Sequence, residues 1–372
     1  MTGAPAPGAA LEGFGVRRVT GLNRLTRGHI NASWELDGDG PLGSCRYLLQ
    51  RLNPLVFPDG PAVHRNILTV TECLRRAAEQ EGVGDVDRRV LRLARLPGGA
   101  PAWQAPDGAW WRLLKFIEHT RTVTEVTRAA EAESVGRAFG TLHRWLAGCD
   151  GTTVTETLPG FHDSAARLAQ LDQAVRDDRH GRVAQVGDAI RDARKRHQFA
   201  EVVPSLIATG ALPRRVVHND AKAGNVLLDA STGAPLAVID LDTVMPGTLL
   251  SDVGDLIRSL ATRAPEDERE LDRITVERPL VEALAQGFLA ECGGILVAAE
   301  REQFVFAGLL LTWEQGVRFL TDHLDGDRYY AIQRPGHNLE RARAQFRLLE
   351  GLEAERAVLE AMVHHILAEH PR

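Results

Sequence analysis

Residues 216–247 gather His218, Asp220, Lys222, Asn225 and Asp240 around two short apolar runs. Phosphoryl transfer needs such a set: a carboxylate to take the proton of an attacking hydroxyl, and an amide and a carboxylate to hold magnesium. Asp220 and Asn225 stand in the spacing Asp-x-x-x-x-Asn, and Ile239-Asp240 follows after a gap of hairpin length. If 225–229 and 236–240 pair about a turn centred between Thr232 and Gly233, Asn225 lies opposite Asp240. Opposed side chains in an antiparallel pair have Cβ atoms about 5 Å apart, so one Mg²⁺ could take an oxygen from each. Asp220 would then accept the acceptor's proton, and Lys222 would offset charge building on the phosphoryl group. His218 reads as a brace for the loop, and Asp242 as a supporting carboxylate. Asn and Asp also serve as plain turn formers at strand ends. Five such residues with one consistent register favour the chemical reading.

These residues must be held by something, and the flanking sequence divides into two characters. Over 16–117 the pattern predicts strands at 16–20, 32–36, 45–52, 90–96 and 110–117, with one helix at 61–81. From 123 onward it predicts helices, at 131–146, 164–177, 186–209, 252–264, 278–292, 300–324 and 337–370. The result is an α+β chain with two lobes. A tail at 1–15, rich in Gly, Ala and Pro, precedes a small strand-rich N-lobe at 16–117, and a helical C-lobe at 118–372 follows. Asp252-Val-Gly-Asp255-Leu-Ile-Arg258 reads as a helix N-terminus with early acids, which the helix dipole favours, or equally as a stretch that braces the site.

Composition narrows the class. A chain of 372 residues exceeds the size at which a single core stops growing, which agrees with two lobes. A net charge of −6 argues against nucleic-acid binding, which wants a basic surface. The four cysteines, Cys45, Cys73, Cys149 and Cys292, are far apart and form no C-x-x-C pair. They predict neither a disulfide framework nor a zinc site, and with no secretory or membrane-spanning segment they suggest a cytoplasmic protein. Gly38 to Gly43 resembles a nucleotide loop but carries a proline between two strands, so it reads as a hairpin turn. No G-x-x-x-x-G-K-[ST] occurs, and the histidines at 364, 365 and 370 lack zinc-protease spacing.

At these residues the chain resembles the aminoglycoside phosphotransferase and choline kinase group, which shares the protein-kinase-like two-lobed fold. The phrases HNDAKAGNVLLD, AVIDLDTVMPG, DVGDLIRS, LPGFHDS, RFLTDHLDGDRYY and HNLERARAQ are similar to those of its N-acetylhexosamine 1-kinase branch. With GHIN and YLLQRLN they extend the resemblance over residues 28–346. It implies transfer of the ATP γ-phosphate to the anomeric hydroxyl of an N-acetylated hexose, with Asp220 as base and Asn225 and Asp240 as magnesium ligands. It also implies that Gly28, His29 and Asn31 lie in a loop covering the phosphates, and that 115–118, with Phe116 and Glu118, contacts adenine. Arg51 stands where such kinases usually have a phosphate-binding lysine, with Glu72 its best acidic partner. Phe161, His162 and Arg318 would recognise the sugar, which needs an apolar face and several hydrogen bonds.

The partners expected are therefore ATP and a small sugar, with no nucleic acid and no membrane, for a monomer or weak homodimer. Two rivals stand beside this reading. One is a kinase of the same fold acting on an aminoglycoside, an amino alcohol or another sugar. The other is an inactive nucleotide-binding regulator, against which the joint presence of Asp220, Asn225 and Asp240 speaks.

Overall fold

The computed structural model describes residues 7–25 and 30–369. Its first part holds α1 (Pro7–Gly13), β1 (Arg17–Leu25), β2 (Ala32–Gly40), β3 (Gly43–Arg51), α2 (Gly60–Gln80), α3 (Val86–Arg89), β4 (Trp103–Gln104) and β5 (Trp110–Lys115). The strands form one antiparallel sheet in the order β1-β2-β3-β5-β4. The stretch 41–42 is indeed the turn of the β2–β3 hairpin.

Three expectations change here. The predicted strand at 90–96 is extended but makes only an isolated bridge, Leu93 to Leu114, and the fourth strand of the sheet is the two-residue β4. The tail expected over 1–15 is helical from Pro7 to Gly13, because Ala10, Leu11 and Phe14 cover one sheet face. That face is apolar, with Tyr47, Leu49, Trp111 and Leu113, and burying it is favourable. The third change concerns cysteine. Cys73 on α2 and Cys149, just past α4, form a disulfide with Cα atoms 5.9 Å apart. Their 76-residue separation hid the pair, since only packing brings the two helices together.

Helix α2 starts where the sequence dictates. The Asp59 carboxylate accepts the N–H of Ala62, and Pro61 needs no partner in the first turn. Its apolar stripe of Val63, Ile67, Val70 and Leu74 is buried in the core shared with the second part.

The second part contains β6 (Thr120–Arg121), α4 (Ala129–Leu146), α5 (Ser164–Asp177), α6 (Gly187–Lys195), α7 (Phe199–Ala208) and β7 (Arg215–Val217). It continues with β8 (Val226–Asp229), β9 (Pro235–Val238), β10 (Met245–Gly247) and α8 (Leu249–Leu260). The last helices are α9 (Arg278–Cys292), α10 (Ala298–Glu302), α11 (Phe304–Leu324) and α12 (His337–Glu369). Helices α5 and α9 match their predicted bounds, whereas the segments 186–209 and 300–324 each break into two helices. Helices α4 and α9 touch through glycine. A Cβ at Gly136 would meet the Leu284 carbonyl oxygen at 2.2 Å, so no other residue permits that approach. Two small sheets, β6-β8-β9 and β10-β7, carry the loop singled out above. Among the described residues, no helix is long and apolar enough to cross a membrane.

Candidate active site

The segment between β7 and β8 is fastened from several directions. Asp252, fully buried on α8, accepts the backbone N–H of His218 at 2.8 Å through Oδ2 and of Asn219 at 2.7 Å through Oδ1, and His143 of α4 lies 3.0 Å from the same Oδ2. Asn219 has left-handed backbone (φ 64°), a conformation Asn tolerates, and its amide donates to the Thr243 carbonyl at 3.1 Å. His218 lies 2.9 Å from the Ile239 carbonyl through Nε2, while its Nδ1 accepts the Asp220 N–H at 3.3 Å. These bonds leave His218 no free ring nitrogen, so it braces the loop. Bracing of the site by Asp252 is one of the two readings that its sequence position admits, beside that of an early helix acid.

Asp220 then projects from a rigid turn. Its Oδ2 pairs with Lys222 Nζ at 2.7 Å, and the Asn225 amide donates to its carbonyl at 2.8 Å and to its carboxylate at 3.2 Å. Burial alone would raise the Asp220 pKa, but the Lys222 charge and hydrogen bond outweigh it and hold the carboxyl below its ordinary value. Asp220 is therefore an ionised acceptor. With its NH₂ engaged, Asn225 keeps its amide oxygen for a cation.

Asn225 does not face Asp240 in the expected register. Val226 pairs with Val238 and Leu227 with Ala237, and the Ile239 N–H donates to the Asn225 carbonyl at 2.9 Å. Leu228 pairs with Pro235, so the turn is centred one position earlier than expected. The shift between Leu227 and Leu228 restores one residue and leaves Asn225 one short of Asp240, and a one-residue slip exchanges faces. Asp240 instead leaves the strand in left-handed backbone (φ 62°), which re-aims its side chain. It remains within electrostatic reach of Asp220 and Lys222. Surrounding protein raises its pKa first, and the charges of Asp242 and Asp220 carry it to about 6. Among the described residues no cluster of three or more His, Cys, Asp or Glu is arranged for a metal. An Asn oxygen plus one carboxylate is instead the sparse oxygen set that Mg²⁺ accepts when phosphates and water complete its shell.

Asp242 lies two residues on and is 4% exposed. One of its oxygens forms an ion pair with Arg112 of β5, also 4% exposed, and the other accepts from the Asn31 amide at 2.5 Å. Arg112 Nε also donates to Gln50 of β3 at 2.8 Å. Burial and then the Arg112 charge push His64 of α2 down to about 4. Neither Arg112 nor Gln50 stood out in the sequence, because strand alternation had to be known first. Arg51 follows the other face: it pairs with Asp107 at 3.0 Å, away from Gln50 and Arg112. Glu72 pairs with Arg95 rather than Arg51. Asn31 is thus brought to the site; Gly28 and His29 lie outside the described residues.

In the segment after β5, the Phe116 N–H donates to the Arg46 carbonyl at 2.9 Å, and the Glu118 carbonyl accepts from Arg88 at 3.3 Å. The helical end of the cleft is assembled from distant segments. His162 lies 3.0 Å from the Asn219 carbonyl through Nε2 and 2.8 Å from Glu314 of α11 through Nδ1. Burial alone would lower the His162 pKa, but Glu314 outweighs it and raises the group. Arg318 lies 4.9 Å from the centre of the Phe161 ring and 5.8 Å from that of Tyr330. Its guanidinium donates to Gln315 at 3.3 Å, and among the described residues no carboxylate lies within ion-pair distance of it. Phe161, His162 and Arg318 are therefore brought together, beside the backbone of the Asp220 loop.

The family model described as "Phosphotransferase enzyme family" matches residues 21–286. Among solved structures, an aminoglycoside phosphotransferase from Alicyclobacillus acidocaldarius is 17% identical, with a TM-score of 0.59 over 98% of each chain. A microcompartment-associated aminopropanol kinase is 15% identical, with a TM-score of 0.54 over 95% of this chain and 97% of its own. A spectinomycin phosphotransferase in complex with ADP and spectinomycin is 11% identical, with a TM-score of 0.55 over 93% of this chain and 97% of its own. These likenesses share the α+β, protein-kinase-like fold of a sheet-bearing part and a larger helical part.

Proposed function

The chain belongs to the phosphotransferase enzyme family, and we propose that it is an ATP- and Mg²⁺-dependent kinase that converts an N-acetylhexosamine or related sugar to its 1-phosphate. The observation that carries phosphoryl transfer is the ionised Asp220, fixed by Lys222 and Asn225 on a loop tied to Asp252. In the reaction the anomeric hydroxyl gives its proton to Asp220 as its oxygen bonds the γ-phosphorus and ADP departs. Lys222, adjoining Asp220, offsets negative charge as the bond to ADP breaks. Asn225 through its amide oxygen and Asp240 would hold a Mg²⁺, whose charge would offset that of the phosphates.

The choice of a sugar rests on the phrases quoted above and on the helical end of the cleft. There an aromatic ring, Phe161, lies beside the polar groups of His162 and Arg318, which suits a ring with one apolar face. A cationic acceptor, such as an aminoglycoside or amino alcohol, would need free carboxylates. The acids nearby are already engaged: Glu314 by His162 and Ser164, and Asp255 by Arg258 at 2.7 Å. The cation Arg318 would also repel such an acceptor.

The test is incubation with Mg-ATP and a panel of N-acetylated sugars, other sugars, amino alcohols and aminoglycosides, read by phosphorus NMR. A product resonance coupled to an anomeric proton is the expected result. A 6-phosphate, or turnover only of the amines, would overturn the sugar assignment.

A further inference from the structure

The polar chain that crosses from the sheet to the cleft floor has a use beyond holding the two parts together. It runs from Ser33 on β2 to Gln50 on β3 at 3.1 Å, to Arg112 on β5, to Asp242, and on to Asn31. Asn31 closes it by accepting the Asn53 N–H at 3.0 Å. Asp242 lies 130 residues from Arg112 and 211 from Asn31 in the chain, yet both of its oxygens are engaged by these two side chains. One carboxylate therefore sets two things at once. It fixes the middle of the sheet over the cleft floor, and it fixes the residue on which the β1–β2 connection ends. Asp240 is only two positions away in the same short turn. With Asp242 fully engaged, Asp240 is the carboxylate of the pair left free to meet a ligand.

Resting on the kinase reading above, we propose that Arg112 and Asp242 are a positioning pair for the nucleotide phosphates. Neither is assigned a contact with substrate; together they hold Asn31, the residue before β2, at a set distance from Asp240. The polyphosphate of ATP must bridge that distance, while the base and ribose need not. Arg51, on the opposite sheet face, is outside this arrangement.

The pair can be separated from a merely structural role by Arg112→Gln, Asp242→Asn and the double variant. Each single variant leaves a buried charge without its partner, which destabilises strongly, whereas removing both charges is far milder. The double variant should therefore melt near the wild type. Its KM for ATP should nevertheless rise by about tenfold or more, with the acceptor KM and adenosine affinity within about twofold of wild type. Arg112→Lys, which keeps the charge but not the planar fork, should fall between wild type and the double variant in KM for ATP. A double variant with wild-type KM for ATP, or an equal loss of ATP and adenosine affinity, would overturn the proposal. Wild-type protein that failed to bind Mg-ATP at all would overturn the kinase reading itself, and this inference with it.

Discussion

At the sheet end of the cleft, Asp242 has both oxygens engaged by Arg112 and Asn31. At the helical end, Arg318 lies against the Phe161 and Tyr330 rings with a single hydrogen bond to Gln315. Both ends place a charge in a protein-walled setting, but only the first neutralises it internally. A charge paired on all sides is a fixture, because moving it would leave an uncompensated buried ion. A guanidinium with donors to spare has a recognition task open to it, because unmet donors favour a ligand that supplies acceptors. On the proposed kinase reading, the sheet end would serve the nucleotide with fixed geometry and the helical end would select the acceptor, with Asp220 on the loop that adjoins both.

That division is broken most severely by changing Asp220 itself. Asp220→Asn keeps the shape and the acceptor oxygen but removes the negative charge that takes the proton in the proposed mechanism. Turnover should fall by about 10²–10⁴-fold, while Mg-ATP affinity, followed by calorimetry, stays near wild type. Residual activity above about a tenth of wild type would place the base elsewhere.

The helical end is next. Glu314 is buried and holds His162 at 2.8 Å, and His162 in turn reaches the Asn219 carbonyl. Glu314→Gln should cost about 3–5 kcal/mol, as expected when one partner of a buried pair is removed. The loss should depend on pH. The raised His162 pKa contributes stability that is complete below its ordinary value near 6.5 and disappears as pH rises through the raised value. The lowered Glu314 pKa contributes stability above its ordinary value near 4.5, and that is lost as pH falls through the lowered value. Urea unfolding should therefore show the largest gap between wild type and variant from about pH 4.5 to 6.5, narrowing above it. A gap that does not narrow between about pH 6.5 and 9 would show that His162 is neutral in the folded protein.

How far these ends were legible in the sequence follows the same division. Asp220, Lys222 and Asn225 lie within one turn of chain, so their spacing alone announced them, and helix periodicity placed α5 and α9 at their observed bounds. Asn225 misses Asp240 by one residue because the turn is centred one position earlier than its sequence suggests, between Ser231 and Thr232, and the shift between Leu227 and Leu228 recovers only part of that offset. Arg51 attracted notice as the charged residue near the end of β3, but strand alternation gives the cleft-side place to Gln50, whose partner Arg112 is 62 residues away. The Cys73–Cys149 bond and the Asp242 network are likewise products of packing between distant segments. Residues 90–96 carry a strand-like composition without a full ladder to join, which only the position of β5 reveals.

The mildest test sharpens the contrast most. Arg318→Met keeps an unbranched stem against Phe161 and Tyr330 while removing the charge and its donors. Since no carboxylate among the described residues pairs with Arg318, no buried anion is orphaned, and the melting temperature should change little. On the proposed reading what is lost is the hydrogen bonding offered to the sugar, so the acceptor KM should rise by about tenfold. The KM for ATP should stay within about twofold, because the sheet end is closed on itself through Asp242. Steady-state kinetics with each substrate varied in turn separates the two effects. An equal rise in both constants would mean that the ends communicate through the Asp220 loop. An unchanged acceptor KM would mean that Arg318 only packs against its rings.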